Sequence, residues 1–197
     1  MLLKLYQAGE GVLRQKARAL TVEEIKSEEL HQLIRMMHDT LREAPGVGLA
    51  APQIGESIQL AIIEDLPDYG RNMTAEQIAE RERQAVPFHV IINPVLTPVG
   101  KPDVEFFEGC LSLTGFTALV PRYRRVHVEC LDEKASPRTI DASGWYARIL
   151  QHEIDHLNGN LYIDRMHSRT FMSVDMYTRR WRDVDLHELK AELGLHK

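Results

Sequence analysis

The stretch Ser143-Gly144-Trp145-Tyr146-Ala147-Arg148-Ile149-Leu150-Gln151-His152-Glu153-Ile154-Asp155-His156-Leu157-Asn158-Gly159 decides how this chain is read. Apolar residues at Trp145, Ile149, Leu150, Ile154 and Leu157 predict a largely buried helix that starts near Ser143, and Asn158-Gly159 is a strong C-terminal stop. Within it, His152-Glu153-Ile154-Asp155-His156 fits H-E-x-x-H. Residues four apart share one helix face, so two imidazoles can reach one ion, and Glu153 stands beside a ligand where it can reach an attacking water. The plain alternative is a polar face with two ordinary histidines. The apolar surroundings weigh against it, because buried histidines and carboxylates require partners.

A catalytic metal site needs a third protein ligand and an open position for water. Downstream, Asn158, Gly159 and Asn160 offer none, and His167 lies farther on in a polar stretch. Upstream, Cys110 sits in Glu108-Gly109-Cys110-Leu111-Ser112 between strand signals, and a thiolate is a strong ligand for a borderline-soft metal. A lone cysteine is otherwise a small buried hydrophobe. That reading suits Cys130, which lies on an apolar strand with Val126 and Val128.

Working outward, 197 residues suffice for one ordinary domain, expected to span 1–197. With 44% hydrophobic and 27% charged residues the chain can bury a sizeable core, and no apolar run nears the roughly 20 residues of a membrane span. A net charge of −5 argues against broad, sequence-independent binding of DNA or RNA. Two cysteines make no disulfide framework, and Met1-Leu2-Leu3-Lys4 opens no apolar secretion signal. The expected compartment is the cytoplasm, or an organelle if a presequence has been removed.

A capping box at Thr21 and Glu24 opens a predicted helix through Ile25, Leu30, Leu33, Ile34, Met37 and Leu41, which Ala44-Pro45-Gly46 ends. Strands are predicted at Leu60 to Ile63, at Val90 to Ile92 ending at Asn93-Pro94, and at Val104 to Phe107, Ala118 to Val120 and Val126 to Cys130. No helix-length connection separates the later strands, so they should pair antiparallel. The fold class is therefore α+β, with mostly antiparallel sheets packed around the central H-E-x-x-H helix. Residues 65–87 read as a polar surface insertion with one short exposed helix. The chain after about Met166 reads as a polar extension, in which Arg179-Arg180-Trp181-Arg182 is a short basic cluster.

Three segments together resemble peptide deformylase. Gly46 to Gln53 matches its G-x-G-L-A-A-x-Q motif, Glu108 to Ser112 its E-G-C-L-S motif, and Gln151 to His156 its Q-H-E-x-D-H motif. Their order and spacing also match, from the first residues to about Met166. The resemblance implies one divalent metal ion held by Cys110, His152 and His156. It implies Fe²⁺ as the physiological ion, with Zn²⁺, Ni²⁺ or Co²⁺ able to occupy the site. It further implies removal of the N-formyl group from the initiator methionine of new polypeptides, releasing formate. Glu153 would act as base and then acid, while the Gln53 side-chain amide and the Leu111 backbone N–H would donate to the oxyanion.

On the same resemblance, Val47, Gly48 and Leu49 would pair with the substrate main chain like an added strand, with Gly109 also on the substrate side. Gly46 and Gly48 would let that backbone come close. Trp145, Ile149 and Leu111 are candidates for the methionine pocket, and Glu108 with Arg122 resembles a structural ion pair bracing the Cys110 loop. The pattern departs at Thr114 and Thr117, where many bacterial members carry proline and a basic residue. Gly115-Phe116 and the segment Arg165 to Phe171 look instead like the branch that includes organellar members. The expected partners are N-formylmethionyl nascent peptides; composition favours a solvated tail or a self-association surface for the basic cluster over the alternative of a ribosome contact. Two other readings stay open on the residues alone: a metallopeptidase cutting internal bonds with the same helix motif, and a non-catalytic peptide-binding module with a structural metal.

Overall fold

Val90-Ile91-Ile92 and Leu60-Ala61-Ile62-Ile63 are continuous apolar runs, the pattern of strands covered on both faces. The computed structural model of the chain, which describes residues 2–70 and 73–195, shows the reason. Leu60, Ile62, Val90 and Ile92 pack in a cluster with Leu30, Ile34, Met37 and Leu41, whereas Ala61, Ile63 and Ile91 pack in another with Ala147, Leu150, Ile154 and Leu157. Alternate residues of a strand face opposite ways, so one sheet separates two helices.

The helices are α1 (Val22–Ile25), α2 (Glu28–Glu43), α3 (Ala75–Glu80), α4 (Gly144–Leu157), α5 (Val174–Met176) and α6 (Leu186–Glu192). The strands are β1 (Gly48–Ala50), β2 (Leu60–Asp65), β3 (Val86–Val99), β4 (Val104–Glu108), β5 (Phe116–Arg122), β6 (Arg125–Leu131), β7 (Pro137–Ser143) and β8 (Met172–Ser173). A five-stranded sheet runs β1-β2-β3-β6-β7 and a three-stranded sheet β4-β5-β8, with every strand pair antiparallel. Helix α2 covers one face of the larger sheet and α4 the other. On its far side α4 meets the smaller sheet, where the Arg148 guanidinium donates to the carbonyls of Val120 (3.0 Å) and Val104 (2.7 Å). The α+β class and the central α4 are as the sequence predicts. Among the described residues no helix is long and apolar enough to cross a membrane.

The structure corrects several element boundaries. The first helix is broken in two. Thr21 and Glu24 do form the capping box, but Ser27 then caps a second start by accepting from Leu30 N at 3.2 Å. Strand β3 does not end at Asn93-Pro94. Asn93 adopts φ 51° at a bulge, its amide bonds Leu20 N (2.9 Å) and Leu20 O (2.8 Å), and the strand runs on to Val99. Tertiary bonding from Leu20 thus converts a breaker into a kink. Strand β7 escaped prediction because only Ile140 and Ala142 of its seven residues are buried. It pairs with β6 along its whole length.

The polar segment 65–87 is more than a solvated excursion, although its residues 71 and 72 lie outside the described chain. The predicted short helix is α3, capped by Thr74. Asp65 is buried and pairs with Arg83 at 2.8 Å, and the Arg81 carbonyl accepts from Trp145 N at 2.8 Å. The segment therefore closes over the start of α4. The C-terminal extension is anchored as well. Trp181 and Leu189 are buried, Lys190 pairs with Glu105, and Arg179 and Arg180 pair with Asp175 and Glu192.

Gly144, at the entry to α4, has φ +59°, and a Cβ there would stand 2.4 Å from Glu82 Cβ and 2.6 Å from the Arg81 carbonyl oxygen. Gly144→Ala should therefore cost about 1–3 kcal/mol of stability. Urea denaturation should show a lower midpoint with an unchanged slope.

Candidate metal centre

Helix α4 carries the two histidines one turn apart, with ring centroids 4.9 Å from each other. The loop between β4 and β5 carries Cys110. One ligand atom from each of Cys110, His152 and His156 lies within 4.8 Å of the others, and the Cys110 Sγ is 3.3 Å from His156 Nε2. The sulfur also accepts from Ser112 N (3.4 Å) and from the Gln53 side-chain amide (3.5 Å). Gln53 is itself fixed: its oxygen accepts from Ala50 N at 2.9 Å, and its nitrogen also reaches Ser112 Oγ at 3.2 Å.

A buried carboxylate orients this group. Glu108 accepts from His152 Nδ1 at 2.9 Å, which turns the Nε2 of that ring toward the sulfur side. Arg122 grips the same carboxylate with two bonds of 2.9 and 3.0 Å, and Arg148 adds a third at 2.6 Å. Arg122 also pairs with Asp155, which Arg165 holds from outside by two bonds of 2.6 Å. The pair of Glu108 and Arg122 is as the resemblance implies. Arg148 and Asp155 were missed, although an arginine one turn before His152 on an apolar face was a signal that a carboxylate must lie opposite.

The donor chemistry fits a cation. Burial first, and the charge of His152 second, hold His156 well below the ordinary imidazole range, so it stays in the neutral form that ligates. Burial opposes charge on His152, yet its bonds to Cys110 and Glu108 raise it well above that range. Burial likewise opposes ionisation of Glu108, but the Arg122 charge and the His152 bond hold its carboxyl far below the usual range. One thiolate and two imidazoles suit a borderline-soft divalent ion.

Glu153 lies beside this group, and its Oε2 is buried with no partner among the described residues. Burial pushes its carboxyl up to about 7, in the range suited to proton transfer near neutrality. Gly48 makes room for it: a Cβ on Gly48 would stand 2.4 Å from Glu153 Oε1. The carboxylate is thus one reason that glycine is needed at 48.

An open cleft of about 920 Å³ leads to these groups. Val47, Gly48, Gln53, Gly109, Cys110, Leu111, Trp145, Ile149, His152 and Glu153 all line it. Leu49 does not: its side chain is fully buried in the core against α2, so only its backbone is left on the β1 edge. His156 stands behind the cleft, 1% exposed. Strand β1 is the outermost strand of its sheet, and the cleft runs beside it.

Cys110 and His152 at the cleft floor, His156 behind them and the buried Glu153 carboxyl beside them make a candidate metal site. Comparison with known proteins gives the family. The profile of the family described as polypeptide deformylase matches residues 2–171, and the chain belongs to that family. It is 45% identical over 172 residues to peptide deformylase 1A, chloroplastic/mitochondrial, of Arabidopsis thaliana, covering 87% of this chain and 64% of the relative. It thus spans less than two thirds of that relative's length. Over 194 residues it is 41% identical to peptide deformylase 1 of Bifidobacterium longum, covering 98% of this chain and 86% of the relative. Among solved structures, the peptide deformylase of Synechococcus elongatus in complex with actinonin superposes with a TM-score of 0.70 at 38% identity, covering 84% of this chain and 79% of that one.

Glu108→Gln keeps the shape of the carboxylate but weakens its hold on His152 Nδ1. The affinity for Zn²⁺ or Co²⁺ should fall about 10–100-fold, as measured by chelator competition.

Proposed function

We propose that this chain removes the N-formyl group from the N-terminal methionine of newly synthesised polypeptides and releases formate. The observation that carries the reading is the meeting of Cys110 and His152, at the floor of an open cleft, with His156 behind them and beside a Glu153 oxygen that has no partner among the described residues. Those three residues would hold one divalent ion. When bound, the ion supplies Lewis acidity that polarises a carbonyl and acidifies water. Fe²⁺ is the ion implied by family resemblance, and Zn²⁺, Ni²⁺ and Co²⁺ match the same donors.

The residues of the chain do the rest. Glu153 takes a proton from the attacking water and returns it to the leaving amine as the carbon–nitrogen bond breaks. The raised carboxyl favours both transfers near neutral pH. The Gln53 amide, fixed through Ala50, and the Leu111 backbone N–H donate to the oxygen that gains charge on the former formyl carbon. Val47, Gly48 and Leu49 offer main-chain groups at the sheet edge to the peptide. Leu111, Trp145 and Ile149 supply an apolar pocket for the methionine side chain and keep bulk water from the reacting carbon.

Formate release from a formyl-Met peptide by anaerobically purified protein, run beside metal analysis, tests the proposal. Glu153→Ala should keep its metal and lose roughly 10²–10⁴ in rate. Gln53→Ala should lose roughly 10²–10³. Undiminished formate release by the Glu153→Ala protein would overturn the mechanism, and cleavage of internal peptide bonds without formate would overturn the reaction. Replacing Cys110 by Ala should abolish tight metal binding, since two imidazoles alone would remain.

A further inference from the structure

The cleft is larger than one methionine needs, and its outer end is built by a part of the chain that the family match does not reach. The matched region stops at Thr170-Phe171. The next residues form β8, which pairs with the outer lip of the cleft through Phe116–Ser173 and Thr117–Met172. Val174 N then donates to the Gly115 carbonyl at 2.9 Å, which places Val174 in the cleft wall beside Phe116. Phe171 stacks on Phe116 from behind, with ring centroids 5.0 Å apart and planes 11° apart, so the ring that lines the cleft is held in place. Phe116 and Val174 are each 43% exposed, two apolar side chains left open at the mouth of one cavity.

The cations that line the same cleft are committed elsewhere, and Asp68 adds an acidic group to its lining. Arg83 pairs with the buried Asp65, and Arg148 with Glu108. Thr117 is buried and donates to the Glu108 carbonyl. At this end of the cavity the Phe116 and Val174 wall is therefore an apolar surface, continuous with the pocket assigned to methionine.

We infer that Val174 and Phe116 form an outer side-chain subsite that selects peptides whose residues after the methionine are large and apolar. The inference rests on the proposed reading of the cleft as a formyl-peptide site. An incoming leucine covers apolar area on both partners, while an aspartate there loses hydration without finding a cation. Val174 is a specificity-determining residue on this account, supplied by the C-terminal extension.

The test uses the full-length, metal-loaded protein and two peptide pairs. Calorimetry reads binding of Met-Leu-Leu against Met-Asp-Asp, which undergo no turnover, and formate release reads kcat/KM for their formylated forms. The wild-type protein should favour the leucine peptides about 5–10-fold in both readouts. Val174→Ser, which removes apolar area without adding a charge, should bring the ratio to within about twofold. Met176→Ser, in the same turn but outside the cleft, should keep the wild-type ratio. Phe116→Ser provides a second variant from the other wall and should also lower the ratio. No preference in the wild-type protein, or a ratio unchanged in both Val174→Ser and Phe116→Ser, would overturn the subsite. Absence of formate from every formylated peptide would overturn the assigned reaction, while the calorimetric ratio would still decide the subsite by itself.

Discussion

Glu108 carries its charge into an interior that penalises it, and the arrangement of the centre follows from how that charge is met. Arg122 from β5 and Arg148 from α4 neutralise the carboxylate, and His152 takes the remaining lone pair. One of these bonds ties the end of β4 to β5 and two tie it to α4, which fixes the helix against the strand pair. A buried ion pair of this kind contributes little net stability, because desolvation offsets the attraction. Its effect is positional. With Glu108 fixed, Cys110 two residues later is brought to the histidine pair, and the His152 ring is held in the orientation that presents its other nitrogen.

The layers of the fold supply the burial that makes this possible. Helix α4 lies between two sheets, so its apolar face and its polar face are both covered, the first by β2, β3 and β6 and the second by β4 and β5. A helix in that position can hold histidines and carboxylates away from water along one side and open them to a cleft at one point. The same burial that raises Glu153 also keeps His156 neutral. Two opposite shifts thus arise from one cause, because burial disfavours the charged form of an acid and of a base alike.

Much of the centre was legible because its signals are local. H-E-x-x-H places two imidazoles on one face by helical geometry alone, and the apolar spacing of Trp145, Ile149 and Leu157 announces a buried helix. The double apolar runs of β2 and β3 announce strands covered on both sides. Other parts left no local trace. Asn93-Pro94 reads as a stop until Leu20 satisfies the Asn93 amide. Strand β7 reads as polar until β6 pairs with it. The space that Gly48 leaves for the Glu153 carboxylate also has no local signal. Val174 reads as one residue of a polar tail until β8 docks on β5.

By itself, the sequence determined the chemistry available: which side chains can donate to a metal, which carboxylate stands next to them, and which segments must be helix or strand to bury their apolar faces. These follow from residue type and from periods of 2 and 3.6 residues, which need no knowledge of distant neighbours. Only the tertiary structure decided that Cys110 meets the histidine pair, that Arg122, Arg148 and His152 converge on Glu108, and that the C-terminal extension walls the cleft. Those outcomes depend on loop closure between remote segments and on desolvation by whatever packs nearby, and neither quantity is carried by any short stretch of the chain.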